Sequence, residues 1–294
     1  MKVYVTGSSG LVGSRFVELY SQKYNLFTSD YPQVDVTRKG DIEKIIKEEN
    51  PDVIIHLAAY TNVTEGEKQR GNKNGDCWKI NVMGTENLVS SIDPDKTQYI
   101  HISTDMVFGG LAEDPGPYSE DHLPETDKAK LTWYGYTKAQ AERKVEKYLG
   151  KNSTIVRIIY PVRAKYDLKM DYLAKPLSLF DKGKLYPLFD DQQISIAFID
   201  EIALALDKII DKKLKGTFHV SSRDTTTPYE LISYLIEKAR GKVGVTRPSS
   251  VDNPVRYPMY GGLKTEKTQE ILGIKFRSWK ETIDEIVRQQ KSMQ

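Results

Sequence analysis

The chain has one cysteine, Cys77, among 294 residues. A single thiol cannot form an internal disulfide or supply a zinc site by itself. The four histidines, at 56, 101, 122 and 219, are scattered and show no metal-ligand spacing. No apolar run reaches the roughly 18–20 residues of a membrane-spanning helix. The apolar start breaks at Gly7, so no signal-peptide core is expected. Charge of one sign is not in excess: 43 Lys and Arg face 41 Asp and Glu. That balance argues against a protein that coats nucleic acid. The charged and hydrophobic fractions, 29% and 39%, exclude a disordered or collagen-like chain. The compartment expected is the cytoplasm. Tyrosine, in contrast, is abundant: 18 residues against 8 phenylalanines and 3 tryptophans.

The N-terminal half alternates between two periods. Lys2 to Thr6, Asn25 to Asp30, Val53 to Leu57, Gln98 to Ser103 and Ser153 to Ile159 read as strands. Helical spacing recurs after Val12, from Asp41 to Glu49, from Ile80 to Ile92 and from Trp133 to Leu149. Alternation of this kind predicts an α/β fold, a Rossmann-type doubly wound parallel sheet. Beyond Tyr160 the pattern loosens, with helices over 200–211, 229–240 and 279–290 and a strand over 217–220. The expected division is a dinucleotide-binding unit over 1–160, joined by a returning segment about 193–222. Residues 161–294 would form mainly a smaller substrate-binding unit. The polar stretch Gly66 to Gly75 reads as a solvated surface loop, or alternatively as a mobile flap near the ligand.

Thr6-Gly7-Ser8-Ser9-Gly10-Leu11-Val12-Gly13 lies between the first strand and the first helix. Glycines at this spacing allow a tight turn, backbone approach to a diphosphate and close packing of helix on strand. The helix start then favours the phosphates. Asp30 stands 17 residues beyond Gly13, at the end of the second strand. A carboxylate there accepts from ribose hydroxyls and repels a 2′-phosphate. Asp30 also reads as a turn residue before Pro32.

The fourth strand ends in Ser103-Thr104-Asp105, where open α/β sheets bind ligands. About thirty residues later comes Tyr134-Gly135-Tyr136-Thr137-Lys138. Tyr134 and Lys138 are four apart and share a helix face, which Ala141, Val145 and Tyr148 are expected to continue into the core. A free phenol titrates near 10 and is a poor acid-base group at neutral pH. A neighbouring ammonium is expected to lower that value. Tyr234/Lys238 and Tyr260/Lys264 share the spacing but do not follow the strand that supplies Thr104. His56 reads as a packed histidine with a satisfied ring, and Cys77 as a small core residue.

On these motifs, with HLAAYT (56–61), Asn81-Val82-x-Gly84-Thr85 and ISTDMVFGG (102–110), the chain resembles the extended short-chain dehydrogenase/reductases. Within them it is most similar to the dTDP-4-dehydrorhamnose reductases, helped by KGTFHVSS at 215–222. The resemblance implies an NAD(P)-dependent oxidoreductase acting on a nucleotide-linked 4-keto sugar. Tyr134 would protonate the C4 oxygen, Thr104 would hydrogen-bond it, and Lys138 would hold the nicotinamide ribose. Cofactor contacts, to NADP(H) or NAD(H), would come from Gly7, Ser9, Gly10, Leu11, Val12, Gly13, Asp30, Asp35, Val36, Ala58, Ala59, Tyr60, Asn81, Ser103, Tyr134, Lys138 and Tyr160. Substrate contacts would come from Asp105, Met106, Gln192 and Arg256. Met106 and Gly109 depart from the family's usual tyrosine and acidic residue. The partner expected is a nucleotide sugar, with no nucleic acid, no membrane, and a homodimer as the oligomeric option. The alternatives are a nucleotide-sugar epimerase, or a non-catalytic subunit like the regulatory subunit of methionine adenosyltransferase.

Overall fold

The computed structural model describes residues 1–251 and 257–293. Six strands form one sheet: β1 (Lys2–Thr6), β2 (Asn25–Ser29), β3 (Val53–His56), β4 (Gln98–Thr104), β5 (Thr154–Ile158) and β6 (Gly216–Val220). Their order is β2-β1-β3-β4-β5-β6, and every pairing is parallel. The chain crosses from one side of β1 to the other between β2 and β3. The carboxyl ends of β1 and β3, with Thr6 opposite His56, therefore flank the switch point.

Alternate strand residues enter two different cores, as the two-residue period requires. Val3, Val5, Val53, Ile55, Ile100, Ile102, Val156 and Ile158 pack with Phe16 and with Ile202, Leu206, Ile209 and Ile210. Those partners stand on α1 (Gly13–Tyr20) and on Ile199–Asp211. On the other face Tyr4, Ile54, Tyr99 and Ile155 meet Ile42, Leu88, Val145 and Leu149. Here the helices are α2 (Lys39–Glu49), α3 (Gly84–Val89) and α4 (Trp133–Leu149). In chain order Ile199–Asp211 is α5. Covering both faces explains the unbroken apolar run of β3.

The later half builds a separate core. Leu231, Ile232, Leu235 and Ile236 of α6 (Pro228–Arg240) pack with Trp279, Ile283 and Ile286 of α7 (Trp279–Ser292). Both helices start at capping boxes, Thr227 with Glu230 and Ser278 with Glu281. β6 and α5 come from this half yet join the main sheet and its core. None of the described helices is long and apolar enough to cross a membrane.

Two elements differ from the sequence reading. The helix expected over 80–92 begins as a π-helical turn, Lys79–Met83, before α3. Tyr148, expected to face the core, is 39% exposed and donates to Glu86. Hydrogen bonding at its hydroxyl end keeps it at the surface.

Candidate active site

Gly7 turns the chain out of β1 at φ +69°, and a Cβ there would lie 2.6 Å from the Ala58 nitrogen. A Cβ on Gly13 would lie 2.3 Å from the Gly7 carbonyl oxygen. Glycine is therefore required at both places. Asp30 spans the turn: one carboxylate oxygen accepts from Ser8 N, the other from Ser8 Oγ and Ser9 N, all at 2.7–2.8 Å. Burial pushes the Asp30 pKa up, but the Ser8 and Ser9 hydrogen bonds outweigh it and hold the pKa below 3.8. The carboxylate thus keeps its charge beside the turn.

The neighbouring segments are cross-tied. Thr6 Oγ1 accepts from Ala58 N and pairs with His56 Nδ1 at 2.8 Å. Asn81, on the π-helical turn, accepts from Tyr60 N and donates to Tyr60 O and Thr137 Oγ1. Its amide is spent on joining the β3 loop to α4. Asp35 folds onto its own turn, accepting from Thr37 N and Oγ1. Val36 covers Gly84, where a Cβ would come within 2.8 Å of it.

At the end of β4, α4 begins almost in contact with the strand. A Cβ on Gly135 would lie 2.0 Å from the Met106 carbonyl oxygen. Thr132 caps the helix by accepting from Gly135 N. This brings Tyr134 beside Thr104 and Asp105. Thr104 Oγ1 donates to Asp105 Oδ1 at 3.0 Å. Burial raises the Asp105 carboxyl to about 7 despite the Thr104 and backbone hydrogen bonds. Tyr160, its ring centroid 4.2 Å from that of Tyr172 and tilted to it by 33°, also faces that carboxyl. Met106 is buried, and Gln192 is buried with its amide donating to the Pro258 carbonyl. Arg256 lies outside the described residues.

Lys138 corrects one expectation. Its ammonium donates to the Ile102 carbonyl at 2.6 Å and lies 3.2 Å from His101 Nε2. The Tyr134 phenol is pushed up, first by burial and then by Asp105, and Lys138 is not among the groups that lower it. The expected lowering by the lysine is absent because the amine is turned into the sheet. Lys138 itself is brought down to about 8, first by burial.

Three further readings change. Ser103 donates to Glu142, which also pairs with Arg157 at 2.7 Å, so its hydroxyl is engaged inside the sheet–helix interface. His56 is only half satisfied, since the structure gives its Nε2 no partner. The stretch 66–75 is a surface segment, exposed at 68 and at 70–74 as expected, but hydrogen bonds tie it down. Arg70 donates to the Lys128 and Leu131 carbonyls, Glu67 accepts from Trp133 N at 2.8 Å, and Gln69 accepts from Cys77 N. Polar side chains here satisfy the backbone around the start of α4. The other two tyrosine–lysine matches lie away from this place. Tyr234 donates to Asp284 with Lys238 over its ring, and Tyr260 is 40% exposed.

Residues unnoticed in the sequence also meet here. Tyr166 donates to the Ser9 carbonyl at 2.6 Å, Arg163 to Ser14 Oγ, and Lys169 to Thr61 Oγ1. His101 had a faint signal: it shares the β4 face of Ser103, two residues on, and that face meets α4.

A parallel sheet with a glycine turn at its switch point, and Thr, Tyr and Lys gathered where β4 meets α4, defines a short-chain dehydrogenase/reductase of the extended type. More narrowly, the chain belongs to the RmlD substrate binding domain family, whose pattern matches residues 1–292. It is 27% identical over 290 residues to a probable low-salt glycan biosynthesis reductase of Haloferax volcanii, covering 93% of each. It is 27% identical over 320 residues to the methionine adenosyltransferase 2 subunit beta of Pongo abelii, covering 98% of this chain and 90% of that one. Among solved structures it is similar to a dTDP-4-dehydrorhamnose reductase from Bacillus anthracis in complex with NADP. The TM-score is 0.85 and the identity 25%, over 98% of both chains.

Proposed function

We propose that this chain is a nicotinamide-dinucleotide-dependent reductase of a nucleotide-linked 4-keto sugar, of the dTDP-4-dehydrorhamnose reductase kind. The observation that carries this is Tyr134 beside Thr104 at the end of β4, with Lys138 buried one turn further along α4. The turn is of the kind that receives a dinucleotide, because Gly7 at φ +69° leads the chain from the end of β1 toward the start of α1. When bound, the nicotinamide supplies the hydride. Backbone from Gly7 through Gly13, including Ser9, Gly10, Leu11 and Val12, would hold the diphosphate at the start of α1. Asp30 would meet the ribose, Asp35 and Val36 the adenine side, and Ala58, Ala59, Tyr60 and Tyr160 the rest of the cleft. NADP(H) and NAD(H) both remain within the proposal. Residues 1–160 with about 193–222 would form the cofactor unit, and 161–294 mainly the sugar unit, in a cytoplasmic enzyme.

Tyr134 is protonated at neutral pH, since burial and Asp105 push its phenol up. It therefore holds the proton it would give to the sugar oxygen, but as a weaker acid than a free phenol, so the transfer would depend on groups that steady the phenolate. Thr104 would donate to the same oxygen. Lys138 would steady the phenolate left behind and the ribose. Asp105, Met106, Gln192 and Arg256 would line the sugar side.

The test is cofactor oxidation. NADH and NADPH are incubated with the protein and a panel of nucleotide-linked 4-keto sugars, and absorbance at the reduced-nicotinamide band is followed. Net oxidation with at least one sugar is expected. Tyr134→Phe should lower kcat by about 100-fold while cofactor Kd stays the same. Sugar epimerised without net oxidation would overturn the reductase reading. The likeness to the methionine adenosyltransferase subunit carries a second reading, a dinucleotide-binding partner protein. Tight cofactor binding with no turnover on any sugar would favour it.

A further inference from the structure

Lys138 is held from behind by a neutral ring. An ammonium has three donors in staggered directions. Two are used, on the Ile102 carbonyl and on His101 Nε2. The third has no partner among the described residues. His101 is fully buried, and burial, then Lys138 and His56, hold its own pKa well below the ordinary value. The ring is therefore neutral. With Nε2 accepting, its proton sits on Nδ1.

Other groups face Lys138 without bonding to it. Glu142 is one turn along α4, but its oxygens are taken by Ser103 and Arg157. Cys77 faces it from the segment Asp76–Trp78 and His56 from β3. Among the described residues, His101 is the only side chain within hydrogen-bond distance of the amine. A buried ammonium needs acceptors to offset lost hydration. A carboxylate in this place would bind the amine far more strongly; an imidazole supports it and leaves the proton exchangeable.

We propose that His101 is a positioning residue of this site: it accepts from Lys138, aims the remaining ammonium hydrogen at the reacting centre, and supports the protonated amine. Only the activity readout of this inference rests on the reductase reading.

The test is the titration of Lys138 in the full chain, followed by the ε-carbon shift of 13C-labelled lysine. The resonance is assigned by its loss in Lys138→Met. The parent midpoint is expected near 8. His101→Phe keeps a ring but no acceptor, and should lower the midpoint by about one pH unit, a tenfold loss of proton affinity. His101→Leu should do the same, and serves if the Phe variant does not fold. His101→Gln, whose amide oxygen can accept, should restore the parent midpoint. With a working sugar substrate, His101→Phe should lower kcat with little change in KM, and Gln should recover it. Phe and Leu variants that titrate like the parent, or a Gln variant that titrates like Phe, would overturn the role. A parent without turnover would sink the reductase reading, while the amine titration still decides for or against His101.

Discussion

At Asp105 a carboxyl is buried beside Thr104 and Tyr134, and none of the groups that shift it is a cation. The folded chain keeps its proton up to about pH 7, whereas the unfolded chain releases it near the ordinary value of 3.8. Between these values the folded state binds more protons than the unfolded. Stability therefore falls as pH rises through that window, and the loss is complete above about 7. Asparagine cannot ionise but can keep the Thr104 contact. Asp105→Asn and the parent should thus melt alike near pH 4, with the variant melting several degrees higher at pH 8. A gap that is the same at both pH values would exclude this account. At this scale the sequence named Thr104, Tyr134 and Lys138, because strand end and helix spacing are local facts. It did not show which way the lysine points. A four-carbon stem can reach either the phenol or the sheet, and only the carbonyl of Ile102 and the ring of His101 decide between them.

The start of α4 shows what an element requires beyond its own pattern. Its boundaries were legible, since Thr132 is a good cap and the apolar spacing runs to Leu149. Its docking was not. Gly135 lets the helix touch the Met106 carbonyl, and the polar segment after Gly66 ties down its approach. In the sequence that segment is all Lys, Arg, Glu, Gln, Asn and Gly, the composition of a solvated loop. Its partners are backbone groups some sixty residues away, which no local pattern reveals. Arg70 holds two of those carbonyls in a forked grip. Arg70→Ala should lower unfolding free energy by about 1–2 kcal/mol in urea titration, and lower kcat several-fold by loosening Tyr134. Lysine should recover little, because it cannot reproduce the fork. A variant with parental stability and kcat would show that the grip does not matter.

Across the whole molecule, the alternation up to Tyr160 made the parallel sheet legible, while in the second half only a segment about 193–222 was expected to return to that unit. The position of β6 in the sheet was not legible; its place beside β5 follows from burying Phe218 and Val220 in the core of β5 and α5. The stretch from Arg163 to Lys169 then reaches back over the switch point, to Ser14 on α1, to Ser9 on the glycine turn and to Thr61 after β3. A dinucleotide in that cleft would touch both halves, so its binding free energy would be felt as global stability. At a ligand concentration of 100 times Kd the gain is about 2.7 kcal/mol, a rise of a few degrees in Tm for a chain of this size. The two cofactors should not act equally, because Asp30 keeps its charge where a ribose would lie. Asp30→Asn removes that charge and leaves an acceptor for the turn. In scanning calorimetry at matched concentrations, the variant should therefore shift the balance toward NADPH, raising its Tm increment relative to that of NADH. An unchanged ratio of the two increments would mean that the 2′-phosphate is met by other residues and that Asp30 only braces the turn.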